Sequence, residues 1–286
     1  AAEQLKNQTH FEASLNHIER AEHLELEAKK HIPYRRFSVS KLTLMILKLE
    51  ILRIMGRVQE VSNVFEQHNF DELDLYPAHI LCQFYTELLR HYREQFHLDK
   101  AMDAAIKALD YARCGESHMQ VTPLYHLGAI FFEQGDFGTA RQHFMEALHI
   151  LSEHHSPKGF ALINNGLGAL AMIEGDSVTA RRYFNSAIKV CKKSSLIEEG
   201  INPLTNLAEL HHCTGHFTKG LQLIEELLPK CKAINFPQGE GVLLRYKTLL
   251  LGDLGRKQEA LTAGKRAYEL QKSLNNPHEQ LTTLVF

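Results

Sequence analysis

Residues 127–148 read LGAIFFEQGDFGTARQHFMEAL, and residues 167–188 repeat the pattern as LGALAMIEGDSVTARRYFNSAI. A glycine lies near the centre of both segments, and glycine recurs every forty residues as Gly135, Gly175, Gly215 and Gly255. A small residue follows each glycine by five positions, and in three of the four copies an alanine follows seven positions later. A fixed period of this length is typical of solenoid proteins, in which each unit buries its apolar face only against its neighbours.

The small residue five positions after the glycine, called the anchor below, recurs over nearly the whole chain. Successive anchors are forty residues apart, with one gap of 39, at Ala21, Val61, Ala101, Ala140, Ala180, Gly220 and Ala260. We therefore expect about seven repeats in a single domain covering residues 1–286. We expect an eighth repeat to begin near residue 277 and to be cut off, because residues 277–286 match the opening of the first helix in the earlier repeats. Leu284, Val285 and Phe286 do not form the polar face that caps a natural solenoid. This predicts a fragment of a larger protein; the alternative is a short terminal helix on the last repeat.

Each repeat is interpreted as two helices. In the fourth repeat, apolar residues from Val121 to Gln134 have helical spacing, Gly135 ends that helix, and a second helix runs from about Phe137 to Ile150. A small anchor lets the two antiparallel helices approach each other. No stretch shows sustained alternation with a period of two, so we expect no β-strands. The predicted fold is all-α, a right-handed superhelical solenoid of helix-turn-helix units.

One set of residues in the fourth repeat, with its copy forty positions later, resembles the tetratricopeptide repeat signature: Leu127, Gly128, Phe131, Gly135, Asp136, Ala140, Phe144 and Ala147. The usual unit has 34 residues, whereas this chain uses forty. The sequence departs from the signature at Asn16 and Phe96, where turn glycines are expected, and at Lys247-Thr248, where a Leu-Gly pair is expected. We expect irregular helix pairs at these places.

Forty-residue units of this type resemble the sensor segments of large bacterial transcriptional regulators of the MalT kind. In those proteins the solenoid follows an ATPase module and receives a small effector. The units are also similar to the scaffold repeats that grip peptides in eukaryotic polarity and motor adaptors. A third resemblance is to the peptide-pheromone receptors, in which a helix-turn-helix segment precedes the repeats. The repeat alone does not choose among these families.

The charge of the chain argues against a general nucleic-acid surface. It has 32 basic and 34 acidic residues, and phosphate binding needs clustered lysine and arginine. The densest basic cluster is Lys29-Lys30 with Arg35-Arg36, which we interpret as a solvated turn. We therefore expect no direct contact of this segment with nucleic acid.

The cysteines and the apolar runs predict a cytoplasmic protein. Five cysteines occur without a C-x-x-C pair, and Cys191 and Cys231 occupy equivalent positions in successive repeats. This pattern is typical of buried thiols in a reducing compartment. No apolar run reaches the length of a membrane span, and no signal-peptide pattern opens the chain, so we expect no membrane partner.

Catalytic motifs are absent from the sequence. It contains no phosphate-binding G-x-x-x-x-G-K-[ST] loop, no G-x-S-x-G elbow and no H-E-x-x-H pair. The residues His211, His212, Cys213 and His216 suit zinc by type. However, His211 falls at an aromatic packing position and His216 lies beyond the turn glycine, so we expect their side chains to diverge. We predict no enzyme activity, no cofactor and no metal, although residues distant in sequence can still converge in a solenoid.

The curvature of a solenoid creates an extended inner surface, which is the candidate binding site. First-helix residues fifteen, eleven, eighteen and eight positions before an anchor should face this concave surface. They are Gln83, Thr86, Arg90, Arg93, Tyr125, Asn165, Asn202, Thr205, Glu209, His212 and Arg245. Asparagine amides can bind a peptide backbone, and arginines can pair with a carboxylate. The alternative is that each is a solvated residue on an exposed helix face.

Two functions remain open from the sequence. The first is a ligand-sensing or protein-interaction domain of a larger transcriptional regulator in signal transduction, which binds an effector or peptide in the concave groove. The second is a peptide-binding scaffold that has no small-molecule effector. Some proteins of the family that these repeats resemble hold a peptide with a clamp of lysine and asparagine spaced four residues apart. That clamp is missing here, and Thr86/Arg90 and Thr205/Glu209 have the spacing instead. Self-association through the terminal repeats is a further expectation, because a truncated end exposes apolar surface.

Overall fold

The structure is a computed structural model, and it describes residues 2–28, 34–67, 73, 76–234 and 236–274. Over these residues the chain forms thirteen α-helices and no β-strand, which confirms the all-α prediction. The helices are α1 (Ala2–Ala28), α2 (Tyr34–Ile54), α3 (Val58–Gln67), α4 (Ala78–Glu94), α5 (Leu98–Arg113), α6 (Val121–Glu133), α7 (Phe137–Glu153), α8 (Pro157–Ile173), α9 (Ser177–Lys193), α10 (Ile197–Cys213), α11 (Phe217–Ala233), α12 (Pro237–Asp253) and α13 (Lys257–Ser273). None of the helices in these ranges is long and apolar enough to cross a membrane.

From α2 onward the helices form six successive pairs, and in each pair a first helix is joined to a second helix by a tight turn. The first helices are α2, α4, α6, α8, α10 and α12. Each first helix contacts its own second helix, and α10 also contacts the first helices on both sides, α8 and α12. This is the helix-repeat arrangement that the forty-residue period predicts.

Backbone contacts divide the chain into two compact units. The N-terminal unit contains residues 8–155, and the C-terminal unit contains residues 156–274 together with residues 2–7. Each unit has its own core, with Phe84 and Leu124 fully buried in the first and Phe184 and Leu243 in the second. One solenoid domain over residues 1–286 stays a prediction, and the truncated eighth repeat expected from residue 277 lies outside the described residues.

The turns within the pairs owe their shape to residues with a left-handed backbone. The five turn glycines have φ between 72° and 82° at Gly56, Gly135, Gly175, Gly215 and Gly255. After Gly135 the amide of Asp136 donates to the carbonyl of Phe131 at 2.9 Å, and the other turns repeat this bond. This is the Schellman arrangement that satisfies the last carbonyls of a helix. Asp136 then caps α7 by accepting a hydrogen bond from the Thr139 amide at 3.0 Å.

Two helix pairs expected to be irregular are regular. Phe96 replaces the turn glycine between α4 and α5, yet it adopts φ 59° and His97 makes the same hydrogen bond, to the Tyr92 carbonyl at 2.9 Å. Thr248 replaces the small residue expected in α12, and its methyl group packs where Gly264 of α13 leaves room. The prediction was wrong for Phe96 because this residue adopts the left-handed backbone of the turn, and for Thr248 because Gly264 leaves room for its methyl group.

The first expected repeat is not a helix pair. Helix α1 runs from Ala2 to Ala28 without interruption, so no turn occurs at Asn16 and Ala21 does not open a second helix. The physical reason is that this segment has neither glycine nor proline, and every turn within a pair in the described chain uses a residue with positive φ. The residues around Ala21 therefore resemble the repeat in sequence but do not form a helix pair.

Small residues at the helix contacts are buried as expected. Ala101, Ala140 and Ala180 are fully buried, and Ala260 nearly so. A second small residue lies on the first helix, where a Cβ added to Gly128 would come 2.5 Å from the ring of Phe144. In the next repeat a Cβ on Gly168 would come 2.6 Å from the ring of Phe184. The phenylalanine rings thus pack directly onto glycine backbone.

Candidate functional site

The predicted site residues all lie on the first helices α4, α6, α8, α10 and α12. Their exposure is uneven, because Gln83 and Asn202 are exposed, whereas Thr86, Asn165 and Thr205 are buried and the remaining six are half-buried. The site therefore consists of residues that contact each other across neighbouring first helices rather than of eleven equivalent solvent-facing groups.

Three polar contacts join the first helices of the C-terminal unit. The Asn206 amide of α10 donates to Oδ1 of Asn165 on α8 at 2.9 Å. The Tyr246 hydroxyl of α12 donates to Oε2 of Glu209 at 2.9 Å. Further along the same helices, Nε2 of His212 lies 2.7 Å from Oδ2 of Asp253. We call these residues, with the exposed Asn202, the first-helix face.

The N-terminal unit has a corresponding cluster built from arginines. Arg90 of α4 donates to Glu87 at 2.6 Å, and its Nε lies 3.4 Å from Nε2 of His126 on α6. Arg93 contacts the other ring nitrogen of His126 at 3.1 Å and forms an ion pair with Glu133. Because these guanidinium groups already have protein partners, the cluster stabilises the contact between α4 and α6.

The two units use the same register for these contacts. A residue eight positions before one anchor pairs with a residue seven before the next, as in Arg93–Glu133 and His212–Asp253. A residue eleven positions before an anchor contacts one fourteen before the next, as in Arg90–His126 and Glu209–Tyr246. Five of the contacting residues were not predicted from the sequence: His126, Glu133, Asn206, Tyr246 and Asp253. They lie one position from the predicted rows, so the period gives their place in the repeat but not the rotation of the helices that brings them into contact.

Two of the predicted site residues donate their hydroxyl hydrogen bonds within their own helices. The hydroxyl of Thr86 donates to the carbonyl of Cys82 in its own helix at 2.7 Å, and that of Thr205 donates to the Asn202 carbonyl at 3.0 Å. Both threonines are buried, and the proton of each hydroxyl is directed to a carbonyl of its own helix. A hydroxyl in a helix commonly bonds back to the preceding turn, which removes it from the surface chemistry.

Two further predicted site residues, Tyr125 and Arg245, contact other side chains of the protein. The ring of Tyr125 lies 5.1 Å from that of His126 and 6.0 Å from that of Phe144. The guanidinium group of Arg245 lies 5.0 Å from the centre of the Tyr246 ring, which is a cation–π distance.

The histidine cluster does not converge on a metal position. The rings of His211 and His216 lie 5.9 Å apart, contrary to the expected divergence of this pair, while His212 turns to Asp253 and Cys213 is exposed. Burial, with smaller contributions from nearby cations, lowers the pKa of His211. Among the described residues, no three histidine, cysteine, aspartate or glutamate side chains are grouped as metal ligands. The basic cluster at Lys29-Lys30 and Arg35-Arg36 lies outside the described side chains.

Comparison with models of protein families and with curated proteins gives no match. Solved structures do match. A Rap protein complexed with competence and sporulation factor has a TM-score of 0.73 and 11% identity, with 99% of this chain and 79% of that chain covered. The Rap conjugation gene regulator of plasmid pLS20, complexed with a Phr peptide, has a TM-score of 0.62 and 14% identity, with 85% and 76% covered.

A third match is a signal transduction ATPase with a tetratricopeptide repeat sensor from Pyrococcus horikoshii. Its TM-score is 0.60 at 14% identity, and the match covers 96% of this chain and 42% of that chain. At these identities the likeness concerns the fold. The chain has the fold of tetratricopeptide-like helical repeat proteins.

Proposed function

We propose that this chain is a peptide-binding module of a regulatory protein, and that the first-helix face of the C-terminal unit holds the peptide. The observation that carries this proposal is the Asn165–Asn206 pair with Asn202 beside it. The bond between the two amides uses the Asn165 oxygen and the Asn206 nitrogen. The Asn165 nitrogen and the Asn206 oxygen are not used in that bond, so we expect them to serve a ligand as a donor and an acceptor.

A donor beside an acceptor complements one peptide group, whose carbonyl accepts and whose amide donates. Asn202 is exposed and lies four residues before Asn206, so the two share one side of α10. Glu209 and His212 continue that side toward the end of α10 and are held by Tyr246 and Asp253. Side chains fixed by neighbouring helices lose less freedom on binding, which favours recognition of an extended ligand.

The structural neighbours support the same class of function. Two Rap structures are described as complexes with competence and sporulation factor and with a Phr peptide, and a third neighbour is described as a signalling ATPase with a repeat sensor. A binding role within a larger regulator is consistent with all three. A small-effector role would differ from the peptide-binding role only in the ligand, and a binding experiment can separate these two roles.

Peptide selection on the full chain tests the proposal. A random peptide library is selected against the protein, and the affinity of recovered peptides is measured by calorimetry. The double variant Asn202→Ala/Asn206→Ala should bind at least about tenfold more weakly, since each lost hydrogen bond contributes about 0.5–1.5 kcal/mol. The matched control is Asn185→Ala, which changes an exposed asparagine on the second helix α9.

Equal affinity of the double variant and the control would show that the first-helix face is not the peptide site. A metabolite that binds at this face, with no peptide recovered, would replace the peptide role by small-effector sensing.

A further inference from the structure

A cavity of the C-terminal unit lies on the side of α10 that packs against α9 and α11. Its volume is about 330 Å³, within the range of small-ligand sites. Apolar side chains form its floor, with Ile188, Leu204 and Leu227 each less than 8% exposed. None of the residues of the first-helix face lines it, so the cavity is separate from the proposed peptide site.

One of the residues that line the cavity, at position 200, is glycine. In the repeats before and after, the corresponding positions hold Phe160 and Glu240, which are large residues. A Cβ on Gly200 would lie 3.4 Å from the Cβ of Cys191, which also lines the cavity, so we expect a longer side chain at position 200 to reduce the space. Close by, Ser195 turns the chain between α9 and α10 with φ 55°, and it also lines the cavity.

The rim of the cavity has two cations and one carboxylate. Nζ of Lys192 lies 2.8 Å from Oε1 of Glu226, and Nζ of Lys230 lies 3.5 Å from the same oxygen. All three side chains are about half exposed, so they can rearrange. Two ammonium groups that share one carboxylate oxygen leave one positive charge without a counter-charge among these three residues. A second carboxylate at the rim would balance it.

We propose that this cavity binds a small amphipathic carboxylate, with its apolar chain over Leu204 and its carboxylate between Lys192 and Lys230. The apolar floor provides the affinity for the chain, at about 25 cal/mol per Å² of apolar surface removed from water. The lysines select a negative head over a neutral one. The site thereby gives this chain a small-molecule ligand in addition to any peptide.

Octanoate is the probe, and 1-octanol is its uncharged counterpart of equal chain length. Both are titrated into the full chain by calorimetry at low ionic strength, where exposed charges are least screened. We expect octanoate to bind at least tenfold more tightly than octanol. The double variant Lys192→Met/Lys230→Met should abolish this difference and leave octanol binding unchanged. Lys265→Met on α13, an exposed lysine away from the cavity, is the matched control.

Two further variants act in opposite directions. Gly200→Leu should fill the cavity and remove the binding of both probes. Glu226→Gln should strengthen octanoate binding severalfold, because it removes the carboxylate that competes for the two lysines. The Glu226 side chain is about half exposed, so this substitution should not disturb the packing of the protein. A Glu226→Gln protein that binds octanoate no better than the wild type would contradict the charge assignment.

Cys191 gives a local readout. It lines the cavity, and burial raises the pKa of its thiol to about 11, so it is alkylated slowly. Bound octanoate should slow alkylation of Cys191 at pH 9, measured by peptide mass mapping, and should leave the exposed Cys213 unaffected. The proposal is overturned if octanoate and octanol bind equally, if neither binds, or if Cys191 is not protected at saturating octanoate.

Discussion

At the scale of single residues, side-chain size varies at two facing positions of each helix pair, one on the first helix and one on the second. The first-helix position that holds Gly128 and Gly168 faces Phe144 and Phe184, and in the last repeat the order is reversed, with a threonine facing a glycine. The pair of α4 and α5 has Leu89 and Ala105 at these two positions, and the pair of α10 and α11 has Ala208 and Ile224. All four of these side chains are buried. In these four pairs one side chain is large and its partner small, which conserves the combined volume at the helix contact. The last repeat departs from this, because Thr248 and Gly264 are both small.

Gly168→Ala should destabilise the C-terminal unit by about 1–3 kcal/mol, because the added methyl group would overlap the buried ring of Phe184. The matched control is Gly252→Ala, where the added methyl group meets nothing within 4 Å in α12. The control should stabilise by about 0.4–1 kcal/mol through the unfolded state. Urea unfolding measures both changes. Adding Phe184→Leu to Gly168→Ala should restore part of the loss, and its failure to do so would contradict the steric explanation.

His91 should make stability depend on pH. It is buried, its ring lies 4.8 Å from that of Phe65, and burial lowers its pKa. The unfolded state therefore takes up a proton at higher pH than the folded state, so stability is lost as pH falls below about 6.5. His91→Phe keeps the ring contact and removes the titration. Melting temperatures between pH 7 and pH 5 should fall less in the variant; parallel profiles would exclude this role of His91.

At the scale of the helix pair, the turn determines where each helix ends. Five of the six pairs in the described chain use glycine at positive φ, and the pair of α4 and α5 uses Phe96. Aspartate caps the next helix in two pairs, where hydrogen bonds from the Thr139 and Thr179 amides lower the pKa of Asp136 and Asp176. The pairs therefore share one backbone geometry, while the residues that produce it differ.

Phe96→Gly should stabilise the protein by about 1 kcal/mol, because a left-handed conformation costs a residue with a side chain roughly 1–2 kcal/mol. Phe96 is 62% exposed, so little packing is lost with its ring. Phe96→Ala is the matched control, since it also removes the ring but keeps the Cβ that causes the strain. Thermal unfolding should place the alanine variant well below the glycine variant. Equal stabilities would show that backbone strain at this turn is negligible.

At the scale of the whole molecule, each of the two compact units has its own buried core. One continuous cluster of the C-terminal unit extends from Ala171 to Ala267 and includes Leu243. In repeat proteins, stability is approximately a sum of local units and the interfaces between neighbours. Damage to one core should therefore be felt locally rather than equally throughout the chain.

Leu243→Ala should lower amide hydrogen-exchange protection in α10–α13 and leave α4 and α5 unchanged. Leu243 is fully buried, so the substitution should cost about 2–5 kcal/mol. Leu89→Ala, an equally buried position in the N-terminal unit, is the reciprocal control. Exchange monitored by mass spectrometry resolves the two. Equal loss of protection in both units after Leu243→Ala would mean that they unfold as one cooperative body.

The sequence by itself determined the helical class, the forty-residue unit and the turn at Gly135 and its equivalents. These features are local, because glycine conformation and apolar spacing depend on residues close together in the chain. Tertiary structure alone decided that Phe96 makes a regular turn and that Thr248 fits opposite Gly264. It also decided which polar residues meet, since Asn165 contacts Asn206 only when two first helices are placed side by side. Such contacts depend on the rotation and spacing of helices that are distant in the chain, which a single row of residues does not contain.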